Sequence, residues 1–293
     1  MEMPFPRLTA ISPAKVNLHL AVLEKRPDGF HNLESIFLAV NFADILHFEP
    51  YDGENTAEIV MEGLSVRIPM EKNIIFKALS LFREKTGFTQ GLKIKVEKRI
   101  PTGGGLGGGS SNAAAALLAL NKLAGFPLNR GQLLETAASL GSDIPFFIYE
   151  TAAARVTGRG EIVEPLEIPE LFLVLVNPGF SSDTAAAYQL LDKKRELENI
   201  TANDAVLPFI KKNIDLSCFT KTFRNDFLPV FAEPEKSVYT GIISELRELG
   251  AQYANLSGTG STCFGIFKEK EKAEKAALFL RVKWAFAECT TPR

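Results

Sequence analysis

A glycine-rich stretch in the middle of the chain carries residue types that bind phosphate. Six of the seven residues from Gly103 to Gly109 are glycine, and a Ser-Ser-Asn sequence and an alanine- and leucine-rich run follow. That run has high helix propensity, and the preceding residues 92–100 alternate like a strand. A helix start offers unpaired N–H groups and partial positive charge, and glycines let a ligand approach the backbone. The segment therefore predicts an anion site, and a phosphate fits it.

The spacing of the glycines distinguishes among known phosphate loops. A Walker A loop is excluded because Ser110 follows Gly109 where lysine is required. A dinucleotide fingerprint matches Gly103, Gly105 and Gly108, but the match is nearly automatic here, and no acidic residue ends a second strand about 20 residues later. The H-R-D and D-F-G motifs of protein kinases are absent. A flexible linker is the remaining alternative, and the flanking strand and helix argue against it.

Composition narrows the class of protein. The 293 residues, 46% of them hydrophobic, are enough for two domains of ordinary size. A net charge of −2 with scattered basic residues gives no electrostatic case for nucleic acid. Three cysteines without C-x-x-C spacing and only three histidines argue against zinc. The odd cysteine number, the lack of an export signal and the lack of an apolar run of about 18 residues predict a reduced, cytoplasmic protein outside the membrane.

Two polar groups lie in the first part of the chain. Residues 8–24 alternate as a strand, so Lys15, Asn17 and His19 share a face, which is either a solvated face or a functional row. A turn at residues 27–29 then presents Phe30 beside His31. That pair could hold a flat ring or form an edge of the core.

Two further segments have both an ordinary and a functional interpretation. Asp143 is predicted to lie between a helix over 128–140 and an apolar strand, because Pro145 opposes helix continuation. It is either a turn residue or a functional acid. Residues 257–261, SGTGS, form either an ordinary turn or a second loop that closes over the same phosphate.

The remaining pattern mixes strands and helices. Asn73 is predicted to cap a helix that Gly87 stops. Residues 192–222 are charged and irregular, which predicts a mobile surface. We predict strands over 33–50, a pair of strands over 56–68, a strand over 91–100, a helix over 110–124, a hairpin over 151–168, an apolar strand before residue 178, a helix from about 183, two helices over 225–250, and a turn, strand and helix over 254–281.

Three segments together resemble the three motifs of the GHMP kinase superfamily, which includes galactokinase, homoserine kinase and mevalonate kinase. They are SPAKVNL at 12–18, PTGGGLGGGSSNAAAALLALN at 101–121 and NLSGTGSTCFGIF at 255–267. RPDGFHNLESIF, LGSDIPFFI and RNDF extend the likeness over nearly the whole chain. The resemblance implies an α+β (two-layer α/β) GHMP kinase fold, with a ribosomal-protein-S5-domain-2-like ATP-binding domain at 1–160 and a ferredoxin-like substrate-side domain at 161–293.

The resemblance also implies roles for individual residues. Asp143 would take the proton from the substrate hydroxyl, and Lys15 would stabilise charge on the transferring phosphoryl group. The implied ATP-binding residues are Asn73, Lys98, Pro101, Gly103, Gly104, Gly105, Leu106, Gly107, Gly108, Gly109, Ser110, Ser111 and Asn112. The implied substrate-binding residues are Asn17, Asp28, Phe30, His31, Thr184, Tyr188, Gly258, Thr259 and Gly260.

The implied cofactors are ATP and Mg²⁺, and the implied acceptor is a cytidine-diphosphate-linked methylerythritol. The resemblance implies a monomer or weak homodimer without nucleic-acid or membrane partners. Phe30 stands where many relatives carry tyrosine, and Asn112 where they often carry aspartate. A neutral amide is a poorer ligand for a hard cation, so we expect ATP phosphates, water and Ser111 to hold magnesium. The alternatives are a GHMP kinase for homoserine or a mevalonate-type alcohol, and a non-catalytic nucleotide sensor.

Overall fold

The computed structural model describes residues 6–64, 68–198 and 222–293. The chain divides into two compact units, each assembled from separated segments. The single predicted boundary between residues 160 and 161 remains a prediction. Unit 1 contains Met1–Ala14, Phe42–Ile100 and Gly107–Glu150, and unit 2 contains Lys15–Asn41, Pro101–Leu106 and Thr151–Arg293.

Two long strands, β1 (Leu8–Lys25) and β2 (His31–Pro50), contribute to both units. They pair with each other and are joined by the predicted turn. The middle of β1 is buried on both faces, and Lys15, Asn17 and His19 are only 4%, 3% and 0% exposed. The interpretation of this row as a solvated face is therefore wrong.

Unit 1 combines a small sheet with a group of helices. Strand β3 (Ala57–Glu62) runs parallel to β4 (Leu92–Glu97), and β4 pairs antiparallel with the last six residues of β2. The predicted pair of strands over 56–68 is a single strand in the described residues, and 65–67 lie outside them. The helices are α1 (Ile74–Thr86), α2 (Gly108–Leu123), α3 (Arg130–Leu140) and α4 (Ile144–Ile148), with a 3₁₀ turn at Met70–Lys72.

Capping residues set the ends of α1 and α3. The side chain of Asn73 accepts a hydrogen bond from the backbone N–H of Ile75, and Gly87 ends α1 at φ 71°. Both ends were predicted from the sequence. Helix α3 begins with a reciprocal capping box between Asn129 and Gln132.

The segment after Asp143 is a short helix, so the predicted apolar strand is wrong. Pro145 occupies the first turn of α4, where its missing N–H would have no helical partner in any case. All five residues of α4 are buried. A short buried helix and a short buried strand have the same apolar pattern, which is why the sequence did not distinguish them.

Unit 2 contains a four-stranded antiparallel sheet in the order β10-β7-β9-β8. The first half of β2 also pairs with β5, and β5 pairs with β6 in the predicted hairpin. One of the two helices predicted over 225–250 is only a 3₁₀ turn at Leu228–Val230, and β10 was not predicted. The elements are β5 (Ala153–Thr157), β6 (Ile162–Leu166), β7 (Phe172–Asn177), α5 (Thr184–Glu198), α6 (Glu235–Glu248), β8 (Tyr253–Leu256), β9 (Cys263–Phe267), α7 (Lys270–Arg281) and β10 (Phe286–Thr290).

Apolar side chains of α6 and α7 form the core of unit 2 with the sheet, including Ile242, Leu280 and Val174. The span 192–222 was predicted to be irregular, but α5 continues through Glu198, and residues 199–221 lie outside the described part of the chain. Within the described ranges, no helix has the length and apolar character needed to cross a membrane.

Candidate active site

The helix start in unit 1 is built to receive an anion. Helix α2 begins at Gly108, two residues earlier than predicted, and its N-cap Gly107 has φ 68° and supplies no side-chain cap. The first N–H groups are therefore not satisfied by a capping side chain. A Cβ on Gly108 would lie 3.3 Å from Lys98 Nζ, so a lysine ammonium lies beside the helix start. Both features favour bound negative charge.

Asp44 holds Lys98 in that place, and the sequence reasoning missed it. Its carboxylate accepts a hydrogen bond from Lys98 Nζ and others from the backbone N–H groups of Arg99 (2.7 Å) and Ile100 (2.9 Å). Asp44 is fully buried. An aspartate in an otherwise apolar strand was the available signal, because a buried carboxylate requires a partner.

Ser12, Ser111 and Asn112 form a buried hydrogen-bonded cluster. The Ser12 hydroxyl oxygen lies 2.8 Å from Ser111 Oγ and 2.6 Å from Asn112 Oδ1. The Ser12 hydroxyl is the donor in both contacts, so Ser111 Oγ and Asn112 Oδ1 both accept from it. Each acceptor oxygen has a second lone pair, so the cluster holds two neutral oxygens at the start of α2.

Asn73 and Asp143 lie at helix starts in unit 1. Asn73 is 5% exposed, and its oxygen caps α1 by accepting the backbone N–H of Ile75 at 2.9 Å. A Cβ on Gly109 would lie 4.0 Å from Ile74 Cγ2, so the starts of α1 and α2 are neighbours. Asp143 immediately precedes α4, and its side chain does not cap that helix.

In unit 2, residues 101–106 of the glycine loop lie against the second glycine loop, residues 257–261. The backbone N–H of Thr262 donates to Gly104 O (3.1 Å), and the Ser257 hydroxyl donates to Gly105 O (2.9 Å). Gly105 has φ +74°, and a Cβ there would lie 2.1 Å from Ser257 O. Only glycine permits this approach, because the opposing atom is backbone. The structure thus brings the two loops predicted from sequence together.

The start of α5 joins the same pair of loops. The backbone N–H of Ser182 donates to Gly103 O (2.9 Å), and its hydroxyl donates to Thr259 O (2.6 Å). The hydroxyl of Thr184 lies 3.2 Å from that of Thr259. Asn225, from the RNDF segment, donates to the carbonyl of Gly258 at 2.8 Å. Thr184 and residues 258–260 therefore form one cluster.

Lys15 and Asn17 adjoin these loops as well. Lys15 Nζ donates to Asn17 Oδ1 (2.6 Å) and lies 4.4 Å from the centre of the Phe37 ring. The backbone N–H of Lys15 donates to Leu106 O (2.9 Å), and that of Asn17 donates to Ser257 Oγ (3.3 Å). A lysine ammonium and an amide thus lie beside the loop pair.

His19 is the third member of the polar row on β1. Its Nδ1 accepts the backbone N–H of Arg224 (3.1 Å), whereas Nε2 is buried and has no hydrogen-bond partner in the described ranges. Burial, and secondarily the charge of Arg224, lower the pKa of His19 to about 4. The ring is therefore neutral at physiological pH and carries its proton on Nε2.

The turn before β2 places Phe30 and His31 in different surroundings. Asp28 accepts the backbone N–H of Phe30 (3.2 Å), as expected for a residue that holds the turn. Phe30 is 52% exposed and lies under the guanidinium of Arg159, 5.0 Å from the ring centre. His31 is buried. Of the predicted pair, only His31 joins another predicted site residue, Tyr188.

His31 stacks on Tyr188 with ring centres 5.2 Å apart, and its Nε2 lies 2.7 Å from Asp192 Oδ1. Lys25 Nζ donates to the other oxygen of Asp192 at 2.7 Å. Burial raises the pKa of Asp192, but the hydrogen bonds from Lys25 and His31 outweigh it and hold that pKa below its ordinary value. Asp192 was not predicted, although it lies four residues after Tyr188 on the same helix face.

Known proteins resemble this chain over almost its full length. Residues 73–151 match the family described as "GHMP kinases N terminal domain", and residues 210–285 match "GHMP kinases C terminal". A relative from Thermodesulfovibrio yellowstonii, named 4-diphosphocytidyl-2-C-methyl-D-erythritol kinase, is 38% identical over 94% of this chain and 95% of its own length. A relative of the same name from Syntrophus aciditrophicus is 34% identical over 93% and 94%.

Solved structures agree. A crystal structure of 4-(cytidine 5'-diphospho)-2C-methyl-D-erythritol kinase has a TM-score of 0.78 and 32% identity, covering 97% of this chain and 98% of its own. A crystal structure of L. major mevalonate kinase has a TM-score of 0.69 at 17% identity, covering 100% of this chain and 99% of its own, which shows the fold alone. The predicted fold class is confirmed.

Proposed function

Because the chain belongs to the GHMP kinase family, we propose that it transfers a phosphoryl group from ATP to the 2-hydroxyl of 4-diphosphocytidyl-2-C-methyl-D-erythritol, a step of non-mevalonate isoprenoid biosynthesis. The observation that carries the phosphoryl chemistry is the uncapped start of α2 with Lys98 beside it. The acceptor is proposed from the names of the full-length relatives.

The nucleotide phosphates bind at the start of α2. Gly109 is exposed and Ser110 half-buried, so the first turn of α2 is open to a ligand. The backbone N–H groups of residues 107–110 donate to the phosphates, and Lys98 adds positive charge. We assign Asn73 to the adenine side of the nucleotide and Lys98 to its phosphates.

Magnesium accompanies the nucleotide, because phosphoryl transfer of this kind needs a cation on the phosphates. The Ser111 oxygen would be the protein ligand, and ATP phosphates and water would supply the others, because the neutral amide of Asn112 is a poor ligand for a hard cation. When bound, the cation neutralises charge that develops on the transferring group. The protein holds the phosphates at the start of α2.

Asp143 accepts the proton of the attacking hydroxyl, and Lys15 stabilises the negative charge of the transferring group. The bond between Lys15 and Asn17 supports this role, because it orients the ammonium through a neutral amide. The polar part of the acceptor is held by Asn17, Thr184 and residues 258–260. Its cytidine group is held by His31, Tyr188, Phe30 and Asp28.

An assay of ADP release tests the proposed function. The purified chain is incubated with MgATP and, separately, with the cytidine-linked polyol, homoserine and mevalonate. Turnover with the first acceptor alone supports the proposal. Turnover with either other alcohol identifies another GHMP kinase activity, and ATP binding without turnover identifies a nucleotide sensor. We also propose that the protein is cytoplasmic and is a monomer or weak homodimer. Analytical ultracentrifugation measures its oligomeric state.

Replacing Asp143 with asparagine should lower kcat by about 10²–10⁴, because the positioned base is lost. The Kd for ATP, measured by calorimetry, should stay close to that of the wild type. The matched control is Glu135→Gln on α3, which removes the charge of an exposed acid and should leave kcat unchanged. Wild-type turnover by the Asp143→Asn protein would exclude Asp143 as the base.

A further inference from the structure

The His31 ring has one polar atom left for a ligand. Its Nε2 lies 2.7 Å from Asp192 Oδ1, and one face stacks on Tyr188. Nδ1 makes no hydrogen bond within residues 6–64, 68–198 and 222–293. His31 is 7% exposed, so its ring cannot turn to exchange one nitrogen for the other without leaving both neighbours.

Asp192 is itself fixed from two sides. Its Oδ2 accepts from Lys25 Nζ at 2.7 Å, while Oδ1 faces His31. The two basic partners hold the carboxylate ionised, and an ionised carboxylate only accepts hydrogen bonds. The Nε2 atom of His31 must therefore carry a proton. In the neutral ring, Nδ1 is then an acceptor.

We propose that Asp192 is a positioning residue that fixes the proton of His31 on Nε2, and so makes this pocket select a pyrimidine that carries an exocyclic amino group. An amino group at position 4 donates to Nδ1, as in cytosine. A carbonyl at the same position, as in uracil, would place two acceptors together. The proposal rests on the proposed function in taking a cytidine group as the ligand of His31.

Discrimination of this type can be large. A site built to hydrogen-bond a donor rejects an analogue that lacks it, because its own buried polar atom is left unpaired. The tautomer of His31 determines that cytosine is preferred over uracil, whereas the stack on Tyr188 only provides a flat surface. Stacking alone would not distinguish cytosine from uracil, since both have a π face.

The proton position can be measured without any substrate. Nitrogen-detected NMR of the ligand-free full chain, assigned with His31→Gln, should show a slowly exchanging proton on Nε2 of His31 and none on Nδ1. Asp192→Ala should abolish the slow exchange, and the exposed acid Glu196→Ala on the same helix should not. A proton on Nδ1 in the wild type, or an unchanged signal in Asp192→Ala, would overturn the proposal.

Steady-state kinetics test the consequence for recognition. Asp192→Ala should raise KM for the cytidine-linked acceptor about tenfold and reduce the preference over its uridine-linked counterpart, with KM for ATP unchanged. Asp192→Asn keeps an acceptor oxygen and should recover most of the preference, which also covers the case in which the alanine variant does not fold. Equal losses with both nucleotides would sink the idea.

The two proposals fail separately. If the wild type does not phosphorylate the cytidine-linked acceptor, the proposed function is wrong, whereas the NMR signal and the binding of free CDP and UDP still measure the tautomer and its preference. Tighter binding of UDP than of CDP by the wild type would overturn the proposal that Asp192 makes the pocket select an amino-bearing pyrimidine, and would leave the proposed function untouched.

Discussion

At the scale of single residues, the polar row of β1, formed by Lys15, Asn17 and His19, places an ammonium, an amide and a neutral imidazole on one strand. The cationic Lys15 is satisfied by an amide, Asn17 bridges two elements, and His19 is neutral. The alternation of the sequence was enough to place them on one face. It was not enough to predict their burial, because the covering groups, such as Ser257 and Arg224, lie more than 200 residues away in the chain.

His19 makes stability depend on pH. Its pKa falls from 6.5 to about 4 on folding, so the unfolded chain binds more protons between those values. The free energy of unfolding is therefore unaffected by His19 above pH 6.5 and decreases as the pH falls toward 4. At about pH 5 the decrease is roughly 2 kcal/mol. Urea denaturation at about pH 7.5 and pH 5 should show this loss in the wild type, and a smaller one in His19→Gln. Equal losses would contradict it.

At the scale of elements, the two glycine loops stabilise each other through backbone contacts. The sequence was enough to identify both loops, the strand before the first and the helix after it. It could not show that Gly105 lies against the carbonyl of Ser257, because a glycine in the sequence does not indicate which atoms approach it in the folded protein. The same holds for Asp192, whose meaning depends on a histidine 161 residues away.

Gly105→Ala should destabilise the protein by about 3 kcal/mol, because it adds strain at positive φ to a clash with backbone. Gly109→Ala is the matched control: it lies in α2, and its nearest neighbour is 4.0 Å away. It should be neutral or stabilising by up to about 1 kcal/mol. Thermal unfolding of the two variants checks the contrast, and similar melting temperatures would refute it.

At the scale of the whole molecule, the predicted fold class is confirmed, and the domain boundary after residue 160 stays a prediction. Most helices and strands follow from periodicity and caps. The short α4 and the last strand, β10, do not, since α4 is too short for a helical period and β10 pairs with β7 more than 100 residues earlier. The unit boundaries follow from such long-range pairing, which one sequence does not display.

The protein as a whole should respond to magnesium only through the nucleotide. The start of α2 offers neutral oxygens at Ser111 and Asn112, which are weak ligands for a free dication. Millimolar Mg²⁺ alone should leave the melting temperature unchanged. MgATP at about 100 times its Kd should stabilise by about 2.7 kcal/mol. A clear shift with Mg²⁺ alone would reveal a preformed metal site.

The discontinuity of the two units has a consequence for the newly made chain. All segments of unit 1 lie within the first 150 residues, whereas Lys15–Asn41 belong to unit 2. As the ribosome releases the chain from its N-terminus, unit 1 is complete while the first half of β2 still lacks its partner β5. Its apolar edge stays unpaired until residues 153–157 emerge, and unit 2 is complete only after its long last segment, Thr151–Arg293, has been made.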